Sequence, residues 1–308
     1  MSNIELMRVS AVVNTYNEEH NISRCLKSVD PYVDEIVVVD MHSVDKTVEM
    51  IRKFTDKVWQ HEYVGYVEPA RNFAISKAEG DWIFLIDADE VLPNTLGEQL
   101  RKLTDRSNHA FYRIPRRNFI FGKNLIHSGW WPDYQIRFFK KEAVSWNDEI
   151  HSIPFTHGNG TDLPAKTENA LIHYHYDSIA QFLDRMNRYT TQEVRQLRRD
   201  GYAFTWKNVL TKPGNEFLTR FFAWEGYKDG FHGLALSCLQ ALSFLIVELK
   251  VWEADRFQEV NLPDFLGQFG KLTSQMIKDG KFWYFRSLTG NSHGLGKLLY
   301  KVRQMIRI

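Results

Sequence analysis

The sequence has 308 residues, which is enough for one large domain with an appendage or for two modest domains. It is 44% hydrophobic and 25% charged, a composition that is typical of folded globular proteins and argues against disorder. A net charge of +1 excludes the overall positive field of nucleic-acid-binding proteins, and two cysteines are too few for a disulfide framework or a cysteine metal site.

Three features of the chain bear on where the protein works. Met1–Arg8 contains Glu5 and lacks an apolar core, so we predict no signal peptide. No run reaches the about 20 uncharged apolar residues of a membrane-spanning helix, so we predict none. Because so few cysteines indicate a reducing compartment, we expect a cytoplasmic protein.

The first third of the chain alternates between strand-like and helix-like segments. Short, nearly continuous apolar runs are typical of strands covered on both faces, and alternation with helices of about 10 residues predicts an α/β fold with a mostly parallel sheet. Ligands bind beyond the carboxyl ends of the strands in such sheets. The predicted strands are Arg8–Asn14, Asp34–Asp40, Lys57–Gln60 and Asp81–Ile86, and the predicted helices are Glu18–Val29, Asp45–Phe54 and Glu68–Ala78.

The rest of the chain changes from mixed structure to helices. A helix is predicted from Pro93 to Asp105, followed by strand-like pieces at His109–Ile114, Asn118–Phe121, Tyr134–Phe139 and Ala170–Tyr176. From Ser178 the pattern is helical, with breaks near Pro213–Gly214, Gly230, Pro263 and Gly290–Gly296. We therefore place a domain boundary near Asp177, between an α/β domain of residues 1–177 and a helical region of residues 178–308.

Two carboxylates follow the fourth predicted strand, in the segment Asp87-Ala88-Asp89-Glu90. In an ideal strand Asp87 and Asp89 point to the same side. Mg²⁺ usually takes one or two carboxylates together with substrate phosphates, so the pair suggests a divalent metal site. The alternative is a solvated turn, but the matching polar ends of the other strands favour a site. Neither a G-x-G-x-x-G segment nor a P-loop pattern is present in the sequence.

Asp40 ends the second long predicted strand. Its carboxylate is placed to accept hydrogen bonds from a base or a ribose. The alternative is an N-cap for the following helix, a role that Ser43 or Asp45 fills equally well. The sequence leaves both interpretations open.

A series of short motifs runs from about Val9 to Trp252. They are Asn14–Glu19, Asp34–Asp40 with Ser43, Asp45 and Thr47, Arg71-Asn72, Gly80–Ile83 leading into Asp87–Glu90, Trp131–Asp133, Arg137–Phe139, Trp146 with Ile150-His151, His173–Tyr176, and Asp229-Gly230 followed by Gly233-Leu234. In their order and spacing they resemble the inverting family 2 glycosyltransferases with the Rossmann-like GT-A fold. Within that family the sequence is most similar to the lipopolysaccharide core β-glucosyltransferase group.

The resemblance implies roles for residues at matching positions. Asp89 would bind a divalent metal, Mg²⁺ or Mn²⁺, while Tyr16 and Asp40 would contact the nucleoside and Arg71 the ribose or diphosphate. The full set expected to bind the nucleotide-sugar donor is Thr15, Tyr16, Asn17, Glu18, Asp40, Arg71, Asp87 and Ala88. The sequence departs from the family pattern at Ser152, which replaces a glutamate after His151, and at Met41-His42, where the family usually has small residues.

An inverting transfer needs a base that removes the proton from the acceptor hydroxyl. Glu149 is our first choice and Asp148 our second, because both adjoin Trp146, which we expect to stack on the acceptor sugar. The alternative for this acidic pair is an exposed turn. Asp133 is a third choice. We expect Asp133, Trp146, His151 and His173 to bind the acceptor.

His173 and His175 alternate along a predicted strand and so share one face. With His151 they suggest an imidazole metal site, but a hard cation bound to a diphosphate prefers oxygen, which favours hydrogen-bonding or core roles. Three nearby arginines either neutralise a phosphate or form a solvated edge, and the second role is the more common. They are Arg113, Arg116 and Arg117.

The C-terminal region contains two apolar helical patterns. Leu234–Leu249 predicts a core helix, with shallow insertion into a membrane as the alternative. From Leu295 to Ile306 an apolar stripe lies among basic residues, and the aromatic cluster Phe282–Phe285 precedes it. Such a helix either packs on the protein or contacts an anionic membrane. The resemblance, whose acceptors are often lipid-linked, favours the membrane.

Together these features predict a metal-dependent inverting glycosyltransferase on the inner face of the cell membrane. Its acceptor would be a membrane-borne glycolipid or a lipopolysaccharide-type glycan. The alternatives are transfer to a polyprenyl phosphate, which needs a similar donor site, and a non-catalytic glycan-binding protein that retains the fold.

Overall fold

The computed structural model describes residues 7–105, 108–147, 153–259, 263–290, 292 and 299–303. Contacts within the chain divide it into two units. The first comprises Met1–Asn124 and Trp131–Ser178, and the second comprises Leu125–Trp130 and Ile179–Ile308. The segment Leu125–Trp130 thus belongs with the helical half, although it lies between strands in the sequence.

The first unit contains twelve strands and four α-helices within the described residues. In chain order they are β1 (Val9–Thr15), α1 (Ile22–Val29), β2 (Glu35–Asp40), α2 (Thr47–Ile51), β3 (Val58–Gln60), α3 (Glu68–Lys77), β4 (Trp82–Asp87), β5 (Glu90–Val91), α4 (Asn94–Thr104), β6 (Phe111–Ile120), β7 (Lys123–Asn124), β8 (Asp133–Lys140), β9 (Val144–Ser145), β10 (Phe155–Thr156), β11 (Gly160–Asp162) and β12 (Leu171–Tyr176).

Ten of the described strands form one mixed sheet, in the order β3-β2-β1-β4-β8-β6-β12-β5, with β7 and β11 paired to β6. The first four strands of this order are parallel, as predicted. Beyond β4 the pairing is mixed: β8 runs antiparallel to both β4 and β6, whereas β11 and β12 run parallel to β6 and β5 runs antiparallel to β12. The sheet is therefore uniformly parallel only from β3 to β4.

The register of the parallel strands sets the place of the candidate site. Thr15 is paired with Asp40 across β1 and β2, and Asn14 is paired with Asp87 across β1 and β4. The carboxyl ends of the three strands therefore lie level at one edge of the sheet. Apolar side chains from these strands fill a core on each face, which explains why their sequences are almost continuously hydrophobic.

The strand-like pieces predicted at 109–114 and 118–121 form one strand, β6, which passes through Pro115. Proline cannot donate a ladder hydrogen bond, so it is uncommon inside a strand. On one side of β6, β11 pairs with residues up to Arg113 and β12 pairs from Arg116 onward. Pro115 falls between these two partners, so its missing N–H disturbs neither ladder.

The described part of the second unit contains four longer helices. They are α5 (Ile179–Arg199), α6 (Trp206–Leu218), α7 (Phe231–Ala254) and α8 (Phe265–Gly290). The breaks predicted at Gly230 and Pro263 are confirmed, since α7 and α8 begin just after them. The break predicted at Pro213 is wrong, because α6 continues through it. Tertiary packing overrides the local signal there: a Cβ on Gly214 would come within 2.5 Å of Met276 of α8.

Helix α7 corrects the prediction that no segment could cross a membrane. It extends beyond the apolar run Leu234–Leu249 at both ends and, by length and composition, is long and apolar enough to span a bilayer, with a mean hydropathy of 1.8. Only 28% of its apolar window is buried inside the protein. The predicted core role is therefore confirmed for one side of the helix, which packs against α5 and α6.

A buried ion pair lies on the packed side of α7. Glu248 is fully buried, and it accepts hydrogen bonds from Lys212 Nζ at 2.6 Å and from Tyr202 Oη at 2.8 Å. Because an unpaired buried carboxylate is costly, this pairing fixes α7 to α6 in one register.

Of the predicted basic tail, the structure describes 299–303, which are helical, and there Leu299 is 51% exposed.

Candidate functional site

The loops that follow β1 and β2 are joined by hydrogen bonds at the carboxyl edge of the sheet. Asn17 N donates to Ser43 Oγ at 2.8 Å, and Val44 N donates to Asn17 Oδ1 at 2.8 Å. Ser43 donates from its N and Oγ to the fully buried carboxylate of Asp40, at 3.0 and 2.5 Å. Since α2 begins only at Thr47, Asp40 does not cap it, and that alternative is wrong.

A second set of bonds joins the same two loops further out. Glu18 N donates to Thr47 Oγ1 at 2.8 Å, and Glu19 N donates to Asp45 Oδ2 at 3.2 Å. Lys46 N donates back to Glu19 Oε2 at 3.0 Å. Hydrogen bonds between the two loops therefore hold the predicted donor-binding residues of the first loop in place.

Thr15 is the last residue of β1, and Tyr16 follows it. The Tyr16 ring stacks on Tyr63, with centroids 4.0 Å apart and planes inclined by 16°. Thr15 is buried, and Ala88, at the end of β4, packs in the core. Tyr16 therefore presents an aromatic surface at this edge, whereas the side chain of Ala88 is part of the core.

Asp87, at the end of β4, is surrounded by three arginines. Arg137 of β8 forms an ion pair with it, Arg71 Nη2 lies 3.4 Å from Oδ1, and Arg116 Nη1 lies 3.9 Å from Oδ2. Burial alone would raise the pKa of Asp87, but the positive charges of Arg137, Arg71 and Arg116 outweigh it and hold the pKa far below its ordinary value. Asp87 is therefore anionic at neutral pH and fixed in orientation, and its side chain remains 27% exposed.

Glu90 also belongs to the cluster formed by Asp87 and its three arginines. Its side chain is fully buried, and it accepts hydrogen bonds from Arg116 Nη1 at 3.0 Å and from Arg137 Nη2 at 2.8 Å. Its other oxygen accepts a bond from the backbone N of Asp87 at 2.9 Å. Glu90 therefore holds two of the arginines in place and also fixes the strand end that carries Asp87.

Asp133, at the start of β8, belongs to the same cluster. Arg116 Nη2 lies 2.6 Å from its Oδ2, and Asn118 and Gln135 also donate to its carboxylate. Burial would raise the pKa of Asp133, but the charge of Arg116 and these hydrogen bonds hold it below its ordinary value. A general base works best with a pKa near the operating pH, so this environment argues against Asp133 as the base.

Asp89 and His173 lie beside the arginine cluster. Asp89 Oδ2 is 3.5 Å from His173 Nε2, and His173 Nδ1 is 2.6 Å from Asn118 Oδ1. His173 is 4% exposed and stacks on His175 at 4.5 Å, which confirms that the two histidines share a face. The hydrogen-bonding role favoured for His173 is confirmed by its bond to Asn118.

The side chains at this edge of the sheet determine whether it can bind a divalent metal. Among the described residues, no group of three or more His, Cys, Asp or Glu side chains is placed to hold a metal alone. Mg²⁺ needs no such cage, because it is usually bound by one or two carboxylates together with phosphates and water. Three guanidinium groups already face Asp87, whereas Asp89 lies next to a histidine. The residues therefore fit a metal that Asp89 shares with a diphosphate.

Arg71 and Trp146 meet on the other side of Asp87. The Arg71 guanidinium lies 5.4 Å from the centroid of Trp146, whose ring is 8% exposed and packs against Phe139. Asn72 fixes the backbone of Trp146 by two hydrogen bonds, of 2.6 and 2.9 Å. This packing makes Trp146 a support for Arg71, and its stacking on an acceptor sugar stays a prediction.

Three predicted site residues lie outside the described residues, namely Glu149, Asp148 and His151.

The three arginines considered from the sequence differ from one another in exposure and in contacts. Arg113 is 53% exposed and pairs with Asp162, as expected of a solvated edge. Arg116, only 14% exposed, belongs to the buried cluster, so the solvated-edge interpretation is wrong for it. Arg117 lies 5.6 Å from the Phe119 ring.

Sequence reasoning missed the central roles of Arg137, Glu90 and Asn118. A signal was present for Arg137, because a charged residue among Ile136, Phe138 and Phe139 in an apolar strand requires a buried partner. Glu90 and Asn118 carry no comparable signal, since their partners come from distant parts of the chain.

Comparisons with known proteins find glycosyltransferases among the similar sequences and structures. The model for the glycosyl transferase family 2 matches residues 10–158. The chain is 28% identical over 259 residues to an uncharacterized glycosyltransferase of Rickettsia typhi, covering 80% of this chain and 88% of the relative. It is 24% identical over 258 residues to the lipopolysaccharide core biosynthesis glycosyltransferase LpsC of Rhizobium meliloti, covering 81% and 94%. A crystal structure of S. aureus TarS 1-349 in complex with UDP is similar with a TM-score of 0.43 and 18% identity, covering 84% of this chain and 95% of the crystallised chain.

Proposed function

Since the chain is a glycosyltransferase with a family 2 domain and a GT-A-like mixed sheet, we propose that it transfers a sugar from a nucleotide-sugar donor to a membrane-borne glycolipid or lipopolysaccharide-type acceptor, with inversion at the anomeric carbon. The relative LpsC, a lipopolysaccharide core biosynthesis glycosyltransferase, supports the choice of acceptor.

The observation that carries the proposal is the level alignment of three strand ends. Asp40 and Asp87 are the last residues of β2 and β4, and Tyr16 follows β1, the strand between them. In this proposal Tyr16 contacts the nucleoside, and Asp87 accepts hydrogen bonds from hydroxyl groups of the donor. Asp40, predicted to contact the nucleoside, is fully buried with its carboxylate bonded to Ser43, and it would instead hold the loop that carries Ser43. Because its arginines keep Asp87 charged and oriented, it meets the donor without reorganising.

Leaving-group departure puts negative charge on the diphosphate. Arg71 lies at this edge, with its guanidinium between Asp87 and the Trp146 ring, and would offset part of that charge. Asp89 would hold a divalent metal, which supplies further stabilisation of the leaving oxygen when it is bound. In this proposal the described residues would bind the donor and stabilise the departing nucleoside diphosphate.

The test of the proposed function is a panel of nucleotide-sugars. We expect one donor to raise the melting temperature and to be hydrolysed slowly without acceptor, in a reaction that a chelator stops. A ligand at a hundredfold excess over its Kd stabilises the folded state by about 2.7 kcal/mol. If no nucleotide-sugar in the panel shifts the melting temperature or is hydrolysed, the proposal is wrong.

The base remains our sequence prediction, with Glu149 ahead of Asp148. We expect Glu149→Gln to lower turnover by about 10²–10⁴-fold, the usual contribution of a general base, with donor Kd unchanged. Asp148→Asn is the matched control, because it removes a neighbouring charge. If Asp148→Asn is crippled and Glu149→Gln is not, the role belongs to Asp148.

Membrane association is part of the proposal and rests on the second unit. Apolar side chains there remain exposed, including Phe231 at 80% and Leu266 at 80%. Basic residues in the tail would each add about 1 kcal/mol near an anionic surface. Sedimentation with anionic vesicles at low and high salt tests this: full-length protein that stays in the supernatant at both would contradict it.

A further inference from the structure

Two tryptophans flank one arginine in the second unit. The guanidinium of Arg220 lies 5.4 Å from the ring centroid of Trp130 and 5.4 Å from that of Trp224. Arg220 is mostly buried and is paired with Glu216, whereas Trp224 is 47% exposed. A cation held between two aromatic rings restrains both, so the exposed indole is a fixed surface rather than a mobile side chain.

The backbone around Trp224 is fixed as well. Ser128 N donates to the carbonyl oxygen of Trp224 at 2.8 Å, and Arg220 Nη1 donates to the carbonyl oxygen of Ser128 at 2.9 Å. Gly129 has a φ of +78°, and a Cβ there would come within 2.6 Å of the Trp224 ring. The indole therefore packs closely against the chain at Gly129, which leaves no room for a side chain.

A buried carboxylate holds the same loop. Asp229 accepts hydrogen bonds from the backbone N atoms of Ile126 and His127, at 3.3 and 2.9 Å, and its other oxygen lies 3.2 Å from His127 Nδ1. The His127 side chain is 26% exposed. The loop thus places a hydrogen-bonding side chain in the same segment as the Trp224 contact.

We propose that the exposed indole of Trp224 is a platform for a sugar ring of the glycan acceptor, which rests on the proposed function. The electron-rich face of an aromatic ring attracts the C–H groups on one face of a pyranose. Rigid apolar surface bordered by a few polar groups is the usual composition of small-molecule sites, and Arg220 supplies a polar group next to the indole.

An interfacial membrane anchor is the competing use for an exposed tryptophan. The structure favours the glycan, because Trp224 is clamped by an arginine and a polar loop. Elsewhere in the unit, exposed apolar side chains such as Phe231 and Leu266 are available for lipid.

The experiment measures binding of a deacylated lipopolysaccharide core oligosaccharide, which carries no lipid, by calorimetry and by saturation-transfer NMR. We expect Trp224→Ala to weaken its affinity by about tenfold, the scale of one aromatic stacking contact, and Trp224→Phe to restore most of it. Phe231→Ala is the matched control, since that ring is 80% exposed in the same unit, and we expect it to bind as the wild type does.

The outcomes separate the two proposals. Wild-type protein that does not bind the oligosaccharide, or Trp224→Ala that binds it as tightly as wild type, would overturn the platform. Loss of anionic-vesicle binding in Trp224→Ala with oligosaccharide affinity retained would assign Trp224 to the membrane and also overturn it. If wild type fails to hydrolyse any nucleotide-sugar but binds the oligosaccharide through Trp224, the proposed function fails and the platform stands.

Discussion

Asp89→Ala is expected to abolish sugar transfer, lowering kcat by about 10³-fold, while the protein keeps its fold. A bound metal contributes several kcal/mol of stabilisation to developing charge, and each 1.36 kcal/mol is a factor of ten in rate. Asp89 is the carboxylate at the end of β4 that lies beside His173 rather than among the three arginines of Asp87. Turnover measured across a Mg²⁺ titration, with circular dichroism as the check on folding, tests this expectation.

The matched control for that experiment is Glu98→Ala. Glu98 is an exposed carboxylate on α4, so its removal changes the net charge equally without touching the strand end. We expect the control to keep wild-type turnover at every Mg²⁺ concentration. Near-normal turnover of Asp89→Ala in the presence of a chelator would show that the metal assignment is wrong.

Arg137→Met is expected to lower the free energy of unfolding by about 3 kcal/mol or more. Arg137 is 2% exposed and pairs with Asp87 and with the fully buried Glu90. Removing one partner of a buried pair leaves uncompensated charge, which costs about 3–5 kcal/mol, and Arg116 still offsets part of it here. Urea unfolding followed by circular dichroism measures the change.

Arg113→Met provides the comparison for Arg137→Met. Arg113 is 53% exposed and pairs with Asp162 at the surface, where an ion pair contributes about 0–1 kcal/mol. The double variant Glu90→Gln with Arg137→Met should recover part of the lost stability, because it removes a negative charge together with its partner. Equal losses for Arg137→Met and Arg113→Met would contradict the buried-cluster interpretation.

The strand ends that form the candidate site were readable from the sequence. In β2 and β4 an unbroken apolar run stops at an aspartate, and the structure ends both strands at those residues, Asp40 and Asp87. A strand buried on both faces must be apolar throughout, so the first polar residue after the apolar run marks the point where the strand leaves the core. Parallel pairing then predicts that these ends lie together.

The arginine cluster was not readable in the same way. Its members come from α3, β6 and β8, and the pairing of β8 between β4 and β6 joins segments about fifty residues apart in the chain. Nothing local in the sequence specifies that order. The charge of Arg137 in an apolar strand indicates that a partner exists, and only the sheet order identifies Asp87 and Glu90 as that partner.

The braced loops after β1 and β2 make the candidate nucleoside surface rigid. Fixing the backbone of one residue costs about 1–2 kcal/mol in conformational entropy. Here this entropy is lost when the protein folds, because Asp40, Asn17 and Thr47 hold the loops through hydrogen bonds within the chain. Little of the contact free energy of a nucleoside would then go into ordering the protein. Such a rigid surface would discriminate between nucleosides. A base of a different shape would lose contacts, because the protein would not rearrange to form new ones.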